Sequence, residues 1–283
     1  MARATRGIKF FTNWLVSRAS QPKRLIAAGL VAIASTVSAF EEQGHTMAAQ
    51  LMTMYLNEGA KTYLTELIGE DWQRQVIALA PRVEQDVTRA KNRPYLPLQQ
   101  TLFSIEDTEF EAAKHCPNNA CSVGAVLESR QVLLESQYSN AKKRQALGFL
   151  MHYMVQLHSP INCGFERDMG GQKIYLKDSD LKPVNLAWIW NYDLYRKFEE
   201  RWFTLAQRYY RDMEKIDLES WVETLSPQEW AFESHLIARE TVYGLAVEGR
   251  YSAKLVREGQ KVIETQLQKA AYRTAMLLNE MWG

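Results

Sequence analysis

The strongest constraint on the fold is a helical spacing of apolar residues that recurs along most of the chain. In the C-terminal segment, apolar side chains fall at intervals of three, four and seven and share one helix face: Val256, Ile263, Leu267, Ala270, Leu277 and Met281. The same spacing predicts helices over 45–58, 71–80, 83–92, 122–137, 141–158, 192–213, 227–247 and 253–281. The only β-structure we expect is a short hairpin around 170–176. The pattern therefore predicts a single all-α domain.

The N-terminus has the features of an export signal. Residues 1–39 contain six basic side chains and no acidic one, and an apolar run extends from Leu25 to Val37. Val37-Ser38-Ala39 provides the small residues that signal peptidase requires, so we expect cleavage after Ala39 and export to the periplasm or beyond the cell. An uncleaved signal anchor is the alternative, although the apolar run is short for a membrane span. The mature domain would then comprise residues 40–283.

Cleavage would change the charge of the protein. The whole chain has 34 basic and 33 acidic side chains, and loss of the signal leaves 28 basic side chains and a net charge of −5. An acidic domain has no broad electrostatic attraction for nucleic acid. Any recognition of phosphate must therefore come from a local site or from bound metal.

Two of the three cysteines, Cys116 and Cys121, flank a tight loop. In an oxidising compartment they could form a small disulfide, whereas a zinc knuckle would require a second pair of ligands. Cys163 is left over, and we expect it to be buried, with a reactive thiol as the alternative.

The histidine most suggestive of chemistry lies on a strongly apolar predicted helix. His152 has Gln156 four residues later, on the same helix face. A carboxylate at that position would chelate a metal together with the histidine, but glutamine is a poor zinc ligand. A hydrogen-bonded core histidine and a metal ligand both remain open from the spacing alone.

Several motifs resemble the secreted zinc-dependent single-strand nucleases, which share their fold with zinc-dependent phospholipase C. The segment 152–162 resembles their run His-x-x-Gly-Asp-Ile-His-Gln-Pro-Leu-His, with both of the first two histidines and the proline retained. Segments 168–172 and 185–191 resemble Asp-x-Gly-Gly-Asn and Asn-Leu-His-x-x-Trp-Asp. The mature start 40–45, the segments 84–89 and 230–234 and the last helix also match in order, so the resemblance extends over nearly all of 40–283.

The resemblance implies a metal centre that hydrolyses phosphodiester bonds of single-stranded nucleic acid or nucleotides with three zinc ions. It places ligands at the mature amino terminus of Phe40, at His45, at Asp86 and at His152, and Asp86 is also the candidate catalytic carboxylate. It also implies a disulfide between Cys116 and Cys121.

Other ligand positions of that family are replaced. The carboxylate that bridges two ions corresponds to Gln156, and the ligands of the remaining ion correspond to Asn162, Ala187 and Asn191. A further histidine expected between Arg89 and Cys116 is missing, and the acidic pair at positions 106 and 107 is a possible substitute.

These replacements predict neutral amides that hydrogen-bond to one another in place of a charged cluster. We therefore expect at most a partial zinc site or no metal at all. Two functions remain: a nuclease with a reduced metal centre and weakened activity, or a non-catalytic relative that uses the cleft to bind a ligand or protein partner.

Overall fold

The structure, a computed structural model, describes residues 38–79, 81–83 and 96–283, and their side chains except those of 38–42 and Leu96. Most of this part is helical. The α-helices are α1 (Ser38–Thr53), α2 (Glu58–Ile68), α3 (Trp72–Ile77), α4 (Ala112–His115), α5 (Ser122–Leu134), α6 (Asn140–Leu157), α7 (Leu186–Trp188), α8 (Leu194–Arg196), α9 (Trp202–Met213), α10 (Pro227–Ile237), α11 (Tyr243–Ala246) and α12 (Ala253–Trp282). The expectation of an all-α domain is confirmed.

Tighter and wider helical turns connect several of these elements. The 3-10 turns are Leu96–Gln99, Pro117–Asn119, Pro160–Cys163, Glu166–Asp168 and Glu219–Trp221, and the π-helical turns are Ile189–Asp193 and Ala238–Val242. The strands β1 (Tyr175–Lys177) and β2 (Pro183–Asn185) form one antiparallel hairpin. The hairpin expected around 170–176 therefore exists, but it begins later, after the turn at Gly170 and Gly171.

The core lies where α6 and α12, the two longest of the described helices, meet α1. Helices α5 and α6 pack against each other as neighbours, and α12 packs against α1, α2 and α6. Ser252 caps α12 with its hydroxyl, which accepts a hydrogen bond from the Leu255 N–H. The predicted apolar stripe is buried at Ile263, Leu267, Ala270 and Leu277. The C-terminal helix, which the sequence predicted most clearly, thus forms one wall of the core.

One predicted helix is wrong as a continuous element. The segment 192–213 is broken between α8 and α9, because Lys197 and Phe198 donate to carbonyls only three residues back. Arg201 then has an extended backbone (φ −69°, ψ 148°) before α9 begins. The apolar period continues across this break, so spacing alone could not reveal it.

Helix α2 was not predicted, although its start is encoded locally. The side chain of Asn57 accepts a hydrogen bond from the Ala60 N–H, and Gly69 ends the helix with φ 120°. An asparagine cap followed by an acidic residue is a usual helix start. The segment 45–58 was predicted as one helix, but α1 ends at Thr53 and Asn57 then caps the start of α2.

The predicted helix over 83–92 and the export signal lie almost wholly outside the described residues. Within the described residues, no helix has both the length and the apolar character needed to cross a membrane.

Candidate active site

Helix α6 carries the central candidate residues through the middle of the core. Ser139 caps its start by accepting a hydrogen bond from the Lys142 N–H. From Ala146 to Leu157 every side chain is buried, so the helix brings its polar residues into an apolar interior. His152 and Gln156 lie one turn apart on it, as the sequence predicted. The helix ends at His158, and Pro160 begins the 3-10 turn that carries Asn162.

The structure brings two predicted zinc ligands together. His45 of α1 and His152 of α6 are 3% and 0% exposed. Their rings stack with centroids 4.7 Å apart and planes 10° apart. Gln99 orients His152, since its Oε1 lies 3.2 Å from His152 Nε2. Burial, and then the proximity of His45, hold the pKa of His152 well below its usual value. His152 is therefore neutral, which is the form that binds metal.

The stacking limits how an ion could be shared. The lone pairs of an imidazole lie in the ring plane, and here the two planes are nearly parallel. One of the two rings must turn before both nitrogens can face a single ion. Of the other two proposed ligands, Asp86 lies outside the described residues. The backbone nitrogen of Phe40 belongs to α1, and the side chain of Phe40 is not described. Among the residues that are described, no group of three or more His, Cys, Asp or Glu side chains could hold a metal ion.

The substituted ligand positions form a chain of hydrogen bonds. The hydroxyl of Ser159 donates to Asn191 Oδ1 (3.1 Å), and Asn191 Nδ2 donates to Asn162 Oδ1 (3.1 Å). Asn162 Nδ2 in turn donates to Gln156 Oε1 (2.5 Å). We call these four side chains the amide chain. The expectation that neutral amides would hydrogen-bond to one another is confirmed.

Ala187 completes the set of replaced positions with a methyl group. It lies in the short helix α7, is 8% exposed, and its backbone N–H donates to Gly171 O (3.4 Å). In the zinc nucleases that this chain resembles, one ion is held by the positions that correspond to Asn162, Ala187 and Asn191. Here the two asparagine side chains hydrogen-bond to each other and the third position has only a methyl group. These residues do not fit that ion, and no step of a reaction can be assigned to it in this chain.

The space beside the amide chain is small. A cavity of about 10 Å³ lies between α1, α6 and the π-helical turn 189–193. It is lined by Gly44, His45, Val155, Gln156, Ser159, Asn191 and Tyr195. A volume of that size is near the lower limit for one water molecule.

The acidic pair proposed as a substitute ligand is engaged elsewhere. Asp107 accepts hydrogen bonds from the Ser104 N–H (2.6 Å) and from His115 Nε2 (2.8 Å), and it pairs with Lys114. Burial alone would raise the pKa of Asp107, but these three donors together hold it far below its usual range. Glu106 accepts from the Ser104 hydroxyl. Asp107 is thus committed to the region of α4.

The disulfide predicted between Cys116 and Cys121 is present, with a Cα–Cα distance of 5.2 Å. Cys163 is fully buried and its thiol donates to Leu157 O (3.4 Å). Burial strongly raises the pKa of that thiol, so it is an unreactive core residue.

Sequence reasoning missed a second buried polar cluster behind α6. Arg273 of α12 donates to His158 Nε2 (3.0 Å), to Trp221 O (2.8 Å) and to Glu233 Oε2 (2.5 Å). His158 Nδ1 donates to Met154 O (2.8 Å). His158 and Arg273 are 115 positions apart, and no local pattern links them. This cluster fixes the end of α6, from which the amide chain begins.

Comparison with known proteins agrees with this architecture. The family model of the S1/P1 nucleases matches residues 40–283. Endonuclease 3 of Arabidopsis thaliana is 23% identical over 264 residues, which cover 86% of this chain and 88% of that protein. Endonuclease 1 of the same plant is 22% identical over 289 residues, covering 93% and 94%. Because the family model matches far more than half of the chain, this protein belongs to the S1/P1 nuclease family.

Proposed function

We propose that this protein is an exported phosphodiesterase acting on single-stranded nucleic acid or nucleotides, with a metal centre reduced to one zinc ion. The observation that carries the proposal is the burial of His45 and His152 side by side. His45 of α1 and His152 of α6 are far apart in sequence, and their imidazole rings are in contact. The proposed ligand set is completed by Asp86 and the amine of Phe40, which gives the four ligands of a tetrahedral site.

The part played by the chain's own residues follows from their contacts. When bound, zinc supplies a nucleophile near neutral pH and polarises a phosphoryl oxygen. Gln99 holds His152 by its Nε2, and a partner of this kind sets the orientation and tautomer of an imidazole. Burial keeps His152 neutral and thus available to a cation.

The same residues explain why the activity should be weak. In-line displacement at phosphorus benefits from several cations that stabilise both the attacking and the leaving oxygen. Where the family would place the additional charge, this chain has Gln156, Asn162, Ala187 and Asn191. Amide N–H groups can donate to a phosphate oxygen, but they carry no net charge. A mature charge of −5 adds no attraction for nucleic acid.

Export is part of the proposal. The basic and apolar segments of 1–39 are typical of a signal peptide cleaved near Ala39. The disulfide between Cys116 and Cys121 fits an oxidising compartment such as the periplasm or the cell exterior. The mature domain would comprise residues 40–283 and begin with the amine that we propose as a ligand.

A cleavage assay on a fluorescent single-stranded oligonucleotide tests the proposal. Slow hydrolysis should require zinc, stop on chelation, and be lost in His45→Gln and His152→Gln. The matched control is His235→Gln, since His235 is equally buried but donates to Cys163 O (2.9 Å), away from the ligand pair. If the folded protein showed no zinc-dependent cleavage, the catalytic proposal would fail and a binding role would remain.

A further inference from the structure

The amide chain connects three separate parts of the fold. Gln156 belongs to the last turn of α6, Asn162 to the 3-10 turn 160–163, and Asn191 to the π-helical turn 189–193. Asn162 and Asn191 are 29 positions apart and Asn162 and Gln156 are 6 apart. Backbone hydrogen bonds from the Ser159 N–H to Gln156 O (3.1 Å) and from the Asn162 N–H to Ser159 O (2.9 Å) already join the end of α6 to the turn 160–163. The bond between Asn191 and Asn162 is the one in the amide chain that links these elements to the turn 189–193.

The middle of this cross-link is well buried and well satisfied. Asn162 is 3% exposed, donates to Gln156 and accepts from Asn191. Its backbone carbonyl accepts from the Thr101 N–H (3.0 Å), and its backbone N–H donates to Ser159 O (2.9 Å). A buried polar group costs free energy unless it is paired, and here the side-chain oxygen and nitrogen are both paired.

The bonds also have a consistent direction. The hydroxyl of Ser159 donates to Asn191, Asn191 donates to Asn162, and Asn162 donates to Gln156. The two asparagine side chains therefore each accept one hydrogen bond and donate another. A carboxylate at position 162 or 191 could accept but could not donate, so it would break the sequence of bonds. The arrangement therefore requires neutral amides at these two positions.

We infer that the amide chain, rather than bound metal, holds the end of α6, the turn 160–163 and the turn 189–193 together in this protein. At the positions where the resemblance places metal ligands, this protein has a structural cross-link of hydrogen bonds that does not require metal. The folded state should therefore persist without zinc, whether or not an ion binds at His45 and His152.

A double-mutant cycle measured in excess chelator tests this inference. Asn162→Ala, Asn191→Ala and the double variant are unfolded by urea, in the exported protein, with EDTA present. The double variant should lose less free energy of unfolding than the sum of the losses in the two single variants, because both remove the same hydrogen bond. The expected coupling corresponds to about a fivefold change in the unfolding equilibrium constant.

A second cycle guards against misfolding of the Asn162 variant. Ser159 and Asn191 are both half-buried, so Ser159→Ala and Asn191→Ala probe the bond at the outer end of the chain with less disturbance. The control cycle pairs Asn191→Ala with Asn279→Ala. Asn279 bonds to the Asn57 N–H and to Tyr55 O at the other end of α12, so its effect should be additive.

The outcomes are distinct from those of the cleavage assay. Coupling of similar size with zinc and with EDTA supports the cross-link, even if no nuclease activity is found. Additive effects in both cycles, coupling that appears only with zinc, or unfolding of the wild-type protein by EDTA would each overturn the inference. None of these three results depends on whether the His45 and His152 site is catalytic.

Discussion

The buried histidine at the end of α6 should make the stability of the fold sensitive to acid. His158 is 2% exposed and lies against Arg273, with Glu233 and Lys269 nearby. Burial, followed by the charge of Arg273, lowers the pKa of His158 to about 3, and the Met154 carbonyl and Glu233 offset only part of this. The unfolded chain binds a proton at this residue near pH 6.5, whereas the folded chain does not.

This difference in proton binding between the folded and unfolded chain sets the direction and the size of the change in unfolding free energy with pH. A histidine whose pKa is lowered by folding contributes fully to stability above pH 6.5, and that contribution is lost as the pH falls below it. With a folded pKa of about 3, His158 alone should cost about 2 kcal/mol of unfolding free energy at pH 5 relative to pH 7.5. Burial also lowers the pKa of His235, which adds to the loss of stability in acid. Burial raises the pKa of Glu128 to about 7, which acts in the opposite direction, so the His158 contribution must be isolated with a variant.

The assay compares urea unfolding at pH 7.5 and pH 5 in wild type and in His158→Gln. Glutamine can still accept a hydrogen bond from Arg273 but does not titrate. Between pH 7.5 and pH 5, the free energy of unfolding of the variant should therefore fall by about 2 kcal/mol less than that of wild type. Ile263→Val, which removes one buried methylene, is the control and should follow the wild-type pH dependence. Parallel curves for His158→Gln and wild type would refute the reasoning.

Two further predictions concern the packing of helix ends and the disulfide. A Cβ at Gly59 would lie 1.9 Å from Trp282 O, so Gly59→Ala should destabilise the fold by about 1–3 kcal/mol in urea unfolding. Nothing lies within 4 Å of a Cβ at Gly244, so Gly244→Ala should instead stabilise by about 0.5–1 kcal/mol, and equal effects would contradict the packing. Replacing Cys116 and Cys121 with alanine should lower the unfolding free energy by about 2 kcal/mol, measured against the oxidised protein, because the closed loop is short; no change on reduction would argue against this bond.

The parts of the fold that sequence could predict are those encoded locally. The apolar stripe of α12 and the start of α10 at Ser226, whose hydroxyl accepts from the Glu229 N–H, are both readable from short segments. The break after α8 was not, because the apolar period continues through it. The small helix α2 was overlooked although Asn57 marks its start.

The site shows a similar division. The resemblance identified positions 156, 162 and 191 as altered, and the chemistry of amides predicted that they would bond to one another. Which atom donates to which could not be predicted, because Asn162 and Asn191 meet only through the fold. The contact between Gln99 and His152 was missed for the same reason, since 53 positions separate them.

The most direct test of a reduced metal centre is the zinc content of the exported, cleaved protein by elemental analysis. We predict one zinc per chain, lost in His45→Gln and His152→Gln and retained in His235→Gln. Three zinc ions per chain would contradict the metal-independent amide chain, and a folded protein without zinc would contradict the proposed catalytic site.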